Sequence, residues 1–141
     1  PPALNAALDW FCDTIRSLDA EAIVGVESRG FLFGAPVAAR LGLPFVPVRK
    51  PGKLPAARMS IEYTLEYGES QLDIHADALT PGQPVVVVDD LLATGGTAGG
   101  AARLVELAGG RVGALVFLIE LSDLGGRSRL PYRIESLIRY D

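Results

Sequence analysis

The chain has 141 residues, of which 49% are hydrophobic and 21% are charged, and its formal net charge is −4. This size and balance fit one compact domain over residues 1–141 and exclude a disordered or fibrous chain. The acidic balance argues against a general nucleic-acid binder. No apolar run approaches the roughly 20 residues that cross a bilayer, and the single cysteine, Cys12, allows no internal disulfide. We therefore expect a soluble, cytoplasmic protein that binds neither nucleic acid nor membranes.

The first third of the chain predicts two helices and two strands. Apolar residues at helical spacing predict an opening helix over residues 4–15. A short apolar run at 23–26 predicts a buried strand, which ends in a turn at 27–30. A second helix is expected over 34–41, and a strand over 45–48 leads into a long loop.

The rest of the chain predicts a hairpin followed by further strands and a helix. Alternating apolar and polar residues at 61–67 predict one strand of an antiparallel hairpin, with 71–75 as its partner. Four consecutive valines at 85–88 are typical of a strand that is covered on both faces. The remaining predicted elements are a helix over 98–107 and strands over 112–121 and 132–138. Strands that alternate with helices predict an α/β fold: a mostly parallel, twisted sheet flanked by helices, with the hairpin as an insertion.

Positive charge is concentrated in one segment. Between Ser28 and Ile61 the sequence has no acidic residue, and both lysines of the chain, Lys50 and Lys53, lie there with four arginines. Such a segment in an acidic chain favours a site for a compact, highly charged anion. The alternative is a solvated face that lacks acids by chance.

The stretch from residue 85 to 97 is the most informative. Asp89 and Asp90 follow the valine run, and carboxylates there accept hydrogen bonds from paired hydroxyls, as on a ribose. A glycine-rich turn at a helix N-terminus then allows backbone N–H groups and hydroxyls to hold a phosphate. The residues of this turn are Ala93, Thr94, Gly95, Gly96 and Thr97. Neither a Gly-Lys-Ser/Thr phosphate loop nor a dinucleotide fingerprint fits, so the stretch predicts a sugar phosphate site beyond the carboxyl ends of the strands; in the alternative reading, the glycines form only a tight turn.

The same stretch resembles the 5-phosphoribosyl-1-pyrophosphate motif of type I phosphoribosyltransferases, in the form found in the adenine phosphoribosyltransferase family. Residues 27–34, 49–55, 65–68 and 120–121 resemble that family in order, so the likeness extends over nearly all of residues 23–141. It implies an enzyme of purine salvage that transfers the 5-phosphoribosyl group to adenine and yields AMP and pyrophosphate. It also implies a homodimer, and Mg²⁺ as the cofactor that bridges polyphosphate oxygens while keeping several waters; no protein ligand of the metal is named.

The resemblance implies a role for each stretch. Glu66 would move a proton at the imidazole edge of adenine and Tyr67 would help close the site, both on a hairpin that acts as a mobile lid. Leu121 would lie near the base. The pyrophosphate would be bound by the loop at 27–30, where the family often has a non-proline cis peptide, and by nearby cations. These residues are Ser28, Arg29, Gly30, Arg49, Lys50 and Lys53, and the counterpart of Arg49 reaches into the neighbouring subunit's site in similar proteins.

Several alternatives stay open at this point. Periodicity alone makes Glu66 a solvent-facing strand residue, Arg29 would otherwise form a surface ion pair, and core packing accounts for Leu121 almost as well. The family's N-terminal hood, which reads adenine, has no counterpart here, and we expect that Pro1 is the cut edge of a longer chain. Rival functions are transfer to another purine or to orotate, and a regulatory protein that senses a phosphoribosyl ligand without catalysis.

Overall fold

A computed structural model describes residues 1–65 and 68–141 of the chain. Helices and strands alternate as the sequence predicts. In chain order they are α1 (Pro2–Arg16), β1 (Ala22–Val26), α2 (Arg29–Leu41), β2 (Phe45–Val48), β3 (Arg58–Leu65), β4 (Gly68–His75), β5 (Pro84–Leu92), α3 (Gly96–Leu107), β6 (Arg111–Leu121), a 3₁₀-helix (Ser122–Leu124), α4 (Gly126–Arg129) and β7 (Ile134–Tyr140). Within the described ranges, no helix has the length and apolar character needed to cross a membrane.

Five strands form one parallel sheet in the order β2-β1-β5-β6-β7. The valine run explains why β5 is central, since all four valines are almost completely buried. Val86 and Val88 pack with α1 and α2 on one face, and Val85 and Val87 pack with α3 and the hairpin on the other. The predicted α/β sheet with helices on both faces is confirmed.

β3 and β4 form a separate antiparallel hairpin, which is the predicted insertion. The hairpin covers α3. The ring of Tyr63 packs directly against Gly100, and a Cβ at residue 100 would lie only 3.0 Å from that ring. At the other end of the hairpin, the backbones of Asp73 and Arg49 exchange two hydrogen bonds of 2.8 and 3.0 Å. The hairpin is therefore fixed both to α3 and to the segment that follows β2.

Two element boundaries near the carboxyl edge of the sheet differ from prediction. α2 begins at Arg29 instead of residue 34, so that the expected turn at 27–30 is short and Gly30 already lies in the first helical turn. β5 continues to Leu92, because the neighbouring strand β6 extends alongside it and pairs with it as far as Glu120. Asp89 and Asp90, expected in a loop, are thus strand residues.

Candidate active site

The connections of β1 and β5 diverge at the carboxyl edge of the sheet. β1 continues through α2 to β2 on one side, and β5 continues through α3 to β6 on the other. Ligands of open parallel sheets bind in the crevice that such a reversal creates. A cavity of about 290 Å³ lies there, lined by residues 27–29 and 89–98. The structure therefore brings the two loops singled out in the sequence into one cavity.

Glu27 joins the first loop to the segment after β2. Its peptide bond to Ser28 is cis, and its carboxylate oxygen Oε1 accepts hydrogen bonds from Arg49 Nε at 3.0 Å and from the Lys50 backbone N–H at 3.1 Å. Burial alone would raise the pKa of Glu27, but these hydrogen bonds and the nearby charges of Arg49 and Lys53 outweigh it and lower the pKa. Glu27 thus stays ionised and anchors the loop.

The three cations after β2 were predicted at the pyrophosphate. The structure places Arg49 against Glu27, with its guanidinium carbon 5.8 Å from the ring centre of Phe31. Arg49, Lys50 and Lys53 are not among the described residues that line the cavity. Arg49 and the Lys50 backbone contact the first loop through Glu27, and the charge of Lys53 contributes to the lowered pKa of Glu27.

Arg29 and Asp90 connect the two loops. Arg29 Nε lies 3.0 Å from Asp90 Oδ2, with the arginine side chain 70% exposed and the aspartate side chain 20% exposed. The sequence has no acidic residue in the thirty positions after Arg29, and the fold supplies a partner from the end of β5. Gly30 packs against Asp89, the neighbour of Asp90, since a Cβ at residue 30 would lie 2.9 Å from Asp89 Oδ1.

Asp89 has an unusual protonation equilibrium. Burial, together with the adjacent charge of Asp90, raises the pKa of Asp89 to about 7 against the opposing effect of its hydrogen bond. That hydrogen bond runs from the Asp90 backbone N–H to Asp89 Oδ1 at 2.8 Å. Near neutral pH this carboxyl group is therefore present in both forms, one of which donates and the other of which only accepts a hydrogen bond.

The turn after β5 ends at the start of α3. Gly95 is the N-cap residue with φ 94°, a left-handed conformation that favours glycine, and its carbonyl accepts the Gly99 N–H at 2.8 Å. The first N–H groups of a helix lack partners within the helix and attract anions. Ala93, Thr94, Gly96 and Thr97 line the same cavity, so the predicted phosphate turn has the geometry of an anion site.

Glu66 and Tyr67, the predicted catalytic residues, lie outside the described residues. Leu121 is half-buried at the carboxyl end of β6, on the same sheet edge as Asp89, but it is not among the described residues that line the cavity. The roles of these three residues stay predictions.

Sequence reasoning missed the segment after β6. Arg129 of α4 donates hydrogen bonds to the carbonyl oxygens of Thr94 and Leu124, and the buried Glu120 binds Arg127 through two hydrogen bonds. The one signal in the sequence was a Gly-Gly pair followed by closely spaced arginines, which resembles an ordinary loop.

The carboxylates of the cavity allow a test of whether magnesium would fit. In the described part of the chain, no three His, Cys, Asp or Glu side chains form a group that could hold a metal ion. Asp89 and Asp90 present hard oxygen atoms to the cavity, and Mg²⁺ is commonly bound by one or two carboxylates with substrate phosphates and water completing its shell. The residues therefore fit a magnesium ion that arrives with its polyphosphate.

Comparisons with known proteins agree with this geometry. The family model of the phosphoribosyl transferase domain matches residues 5–139. The adenine phosphoribosyltransferase of Clostridium botulinum is 55% identical over 98% of this chain and 81% of its own length, and that of Synechococcus is 54% identical over 100% and 83%. The crystal structure of the adenine phosphoribosyltransferase from Thermoanaerobacter pseudethanolicus matches with a TM-score of 0.96 at 53% identity, covering 99% of this chain and 81% of that one. The chain therefore belongs to the adenine phosphoribosyltransferase family.

Proposed function

We propose that this protein transfers the 5-phosphoribosyl group of 5-phosphoribosyl-1-pyrophosphate to adenine, giving AMP and pyrophosphate. One observation carries the proposal: a single cavity combines a loop that carries Arg29, a carboxylate pair and a glycine-rich helix N-terminus. These are the groups that a pyrophosphate, a ribose and a 5-phosphate require, respectively. Relatives that are 55% and 54% identical to this chain are adenine phosphoribosyltransferases.

The 5-phosphate is assigned to the turn from residue 93 to 97. There the N–H groups that open α3 lack hydrogen-bond partners within the helix and are suited to bind an anion. The ribose hydroxyls are assigned to Asp89 and Asp90, whose carboxylates lie at the end of β5 in the same cavity. This arrangement fixes both ends of the sugar and leaves its anomeric carbon between the two loops.

The pyrophosphate is assigned to the loop of Ser28, Arg29 and Gly30. To bind it, the exposed guanidinium of Arg29 would exchange the Asp90 carboxylate for phosphate oxygens. Arg49, Lys50 and Lys53 would add positive potential from behind the loop. Mg²⁺, when bound, would neutralise part of the pyrophosphate charge and so favour its departure.

The reaction breaks the bond between the anomeric carbon and the pyrophosphate oxygen and forms a bond from that carbon to a ring nitrogen of adenine. The pyrophosphate leaves with the electron pair, and the sugar passes through a cationic state that the negative charge of Asp90, and of Asp89 in its ionised form, stabilises. Glu66 would accept the proton that adenine loses, and Tyr67 would help the hairpin exclude water, which otherwise hydrolyses the donor.

We also propose a cytoplasmic homodimer. The resemblance to the family implies a homodimer, and Leu32 on α2, which is 64% exposed close to the first loop, is a side chain that such a contact would cover. Sedimentation equilibrium would test this: a mass of one chain at micromolar concentration would contradict the dimer.

Product identification tests the function directly. The protein is incubated with the donor, Mg²⁺ and one base at a time, namely adenine, hypoxanthine, guanine or orotate. We expect AMP and pyrophosphate from adenine alone. A nucleotide from another base would favour the rival transferase, and donor binding without any product would favour a phosphoribosyl sensor.

A further inference from the structure

The short helix α4 lies directly beneath the predicted phosphate turn. A Cβ at Gly126 would lie 2.5 Å from the Ala93 carbonyl oxygen and 3.2 Å from the Gly95 nitrogen. From the other side, a Cβ at Gly95 would lie 3.3 Å from the Gly126 carbonyl oxygen. A side chain at Gly126 would collide with the backbone of the turn, so only a residue without a Cβ fits at this position. The turn therefore rests on α4 without an intervening side chain.

Arg129 fixes the direction of one peptide group in that turn. Its Nη1 donates to the Thr94 carbonyl oxygen at 3.1 Å and to the Leu124 carbonyl oxygen at 3.0 Å. The C=O and the N–H of a trans peptide point in opposite directions. Because the Thr94 carbonyl points to Arg129, the N–H of Gly95 points away from it, and Gly95 lines the cavity. The side chain thus orients a donor that the proposed function assigns to the 5-phosphate.

The helix that carries Arg129 is itself held in place. Glu120, on β6, is 2% exposed and accepts hydrogen bonds from Arg127 at 2.7 and 3.1 Å. Arg127 also donates to the carbonyl oxygen of Ile134 on β7 at 2.8 Å. Arg127 therefore ties α4 to the sheet, whereas Arg129 faces the turn and is exposed.

We propose that Arg129 is a positioning residue for the 5-phosphate: it sets the geometry of the phosphate turn from below without touching the ligand. The inference rests on the proposed function, because it assumes that this turn binds the 5-phosphate. It predicts a selective effect: a residue that acts only through the turn should change the binding of the 5-phosphate and leave the binding of the pyrophosphate unchanged.

Ribose 5-phosphate and pyrophosphate each represent one end of the donor, so the binding of the two ends can be measured separately. Titration calorimetry measures the binding of each to the wild type, to Arg129→Ala and to Arg133→Ala, a control that removes an exposed arginine paired with Glu135. We expect Arg129→Ala to weaken ribose 5-phosphate binding by about tenfold, as for the loss of one hydrogen bond from a charged donor. Pyrophosphate binding and Tm should match the control. In turnover assays the KM for the donor should rise, with the KM for adenine and the kcat retained.

A second variant reaches the turn by another route. Gly126→Ala places a methyl group against the Ala93 carbonyl and should cause the same selective loss of ribose 5-phosphate binding. The inference is wrong if Arg129→Ala binds ribose 5-phosphate as the wild type does, or if both ligands weaken together. A wild type that binds neither ligand and forms no AMP refutes the proposed function itself, which is a different result.

Discussion

Replacement of Asp89 by asparagine should stabilise the ligand-free protein at alkaline pH, although it alters the proposed site. Burial, together with the neighbouring charge of Asp90, raises the pKa of Asp89 from 3.8 to about 7. Between these values the folded protein holds a proton that the unfolded chain has released, so this group makes stability fall as the pH rises. Above pH of about 7 the folded state bears the whole cost of the ionised side chain. Asparagine does not ionise, so the variant does not bear this cost.

The magnitude follows from the shift. Taken in full, the rise in pKa corresponds to about 4 kcal/mol of unfolding free energy, at about 1.4 kcal/mol per pKa unit. Asp89 keeps partial contact with solvent, which screens its charge, so we expect roughly 2 kcal/mol. For a domain of this length that is about 6 °C in Tm. An asparagine oxygen still accepts the Asp90 N–H, which lies 2.8 Å from Oδ1 in the wild type, so the comparison isolates the charge.

Thermal unfolding at pH of about 5 and about 8.5 is the assay, with the pH values chosen on either side of the raised pKa. We expect Asp89→Asn to unfold at a higher temperature than the wild type at the higher pH, and the difference in Tm to be smaller at the lower pH, where the wild type bears only part of the cost. Asp77→Asn makes the same chemical change at an exposed turn residue and should show no such pH dependence. An equal difference at both pH values, or a less stable Asp89→Asn at the higher pH, would refute the reasoning.

Three further substitutions test the other parts of the site. Arg29→Ala should weaken pyrophosphate binding by about tenfold and spare ribose 5-phosphate, and calorimetry that finds both ligands weakened would contradict the assignment. Glu120→Gln replaces the buried carboxylate that binds Arg127 by a neutral amide and should lower the free energy of unfolding by about 2 kcal/mol, as for hydrogen bonds to a charged group, measured with denaturant. The hydrogen bond from Arg127 lowers the pKa of Glu120, so the ion pair stabilises the fold above the ordinary pKa of glutamate and ceases to do so as the pH falls through the lowered pKa. If the difference in unfolding free energy between the wild type and Glu120→Gln did not shrink in acid, this explanation would be wrong. Glu66→Gln should reduce turnover by about 100-fold with donor binding retained, whereas Glu69→Gln, on β4, should not.

The parallel core was predictable because its signals are local. A run of valines can be covered on both faces only in a central strand, and the structure buries Val85 to Val88 between two layers. The phosphate turn was also predictable, since its residues are contiguous and need only a strand before them and a helix after them. The phosphate turn and the loop at residue 27 both follow the carboxyl ends of strands, and ligands of parallel sheets bind there, so their shared cavity was predictable as well.

Features that depend on distant partners escaped prediction. The length of β5 is set by β6, whose extension pairs with Asp89 and Leu92, so the change from apolar to acidic residues did not mark the end of the strand. The partner of Arg29 is Asp90, sixty-one positions along the chain. Arg129 acts on Thr94 across a gap of 35 positions. Periodicity, which compares neighbours in sequence, contains no information on such contacts.

Asp73 is one of two buried acidic residues in the described part of the chain. Its Oδ1 accepts hydrogen bonds from Ser60 and Gln71 at 2.6 and 2.9 Å, and its Oδ2 lies 3.3 Å from Arg58 Nε. Burial would raise the pKa of Asp73, but these partners outweigh it and lower the pKa. The backbone of the same residue pairs with Arg49, so Asp73 links the hairpin to the cationic segment after β2.

Glu120 is the other buried acid, and it has the same role on the opposite side of the cavity. It joins α4, through Arg127, to the last two strands. A buried ion pair adds little net stability, because desolvation offsets most of the attraction, but removal of one partner is costly. We infer that Asp73 and Glu120 determine where the two flanking segments lie more than how stable the fold is. Substitutions of these acids should therefore impair folding and activity together, whereas changes at Asp89 and Arg129 should separate the two.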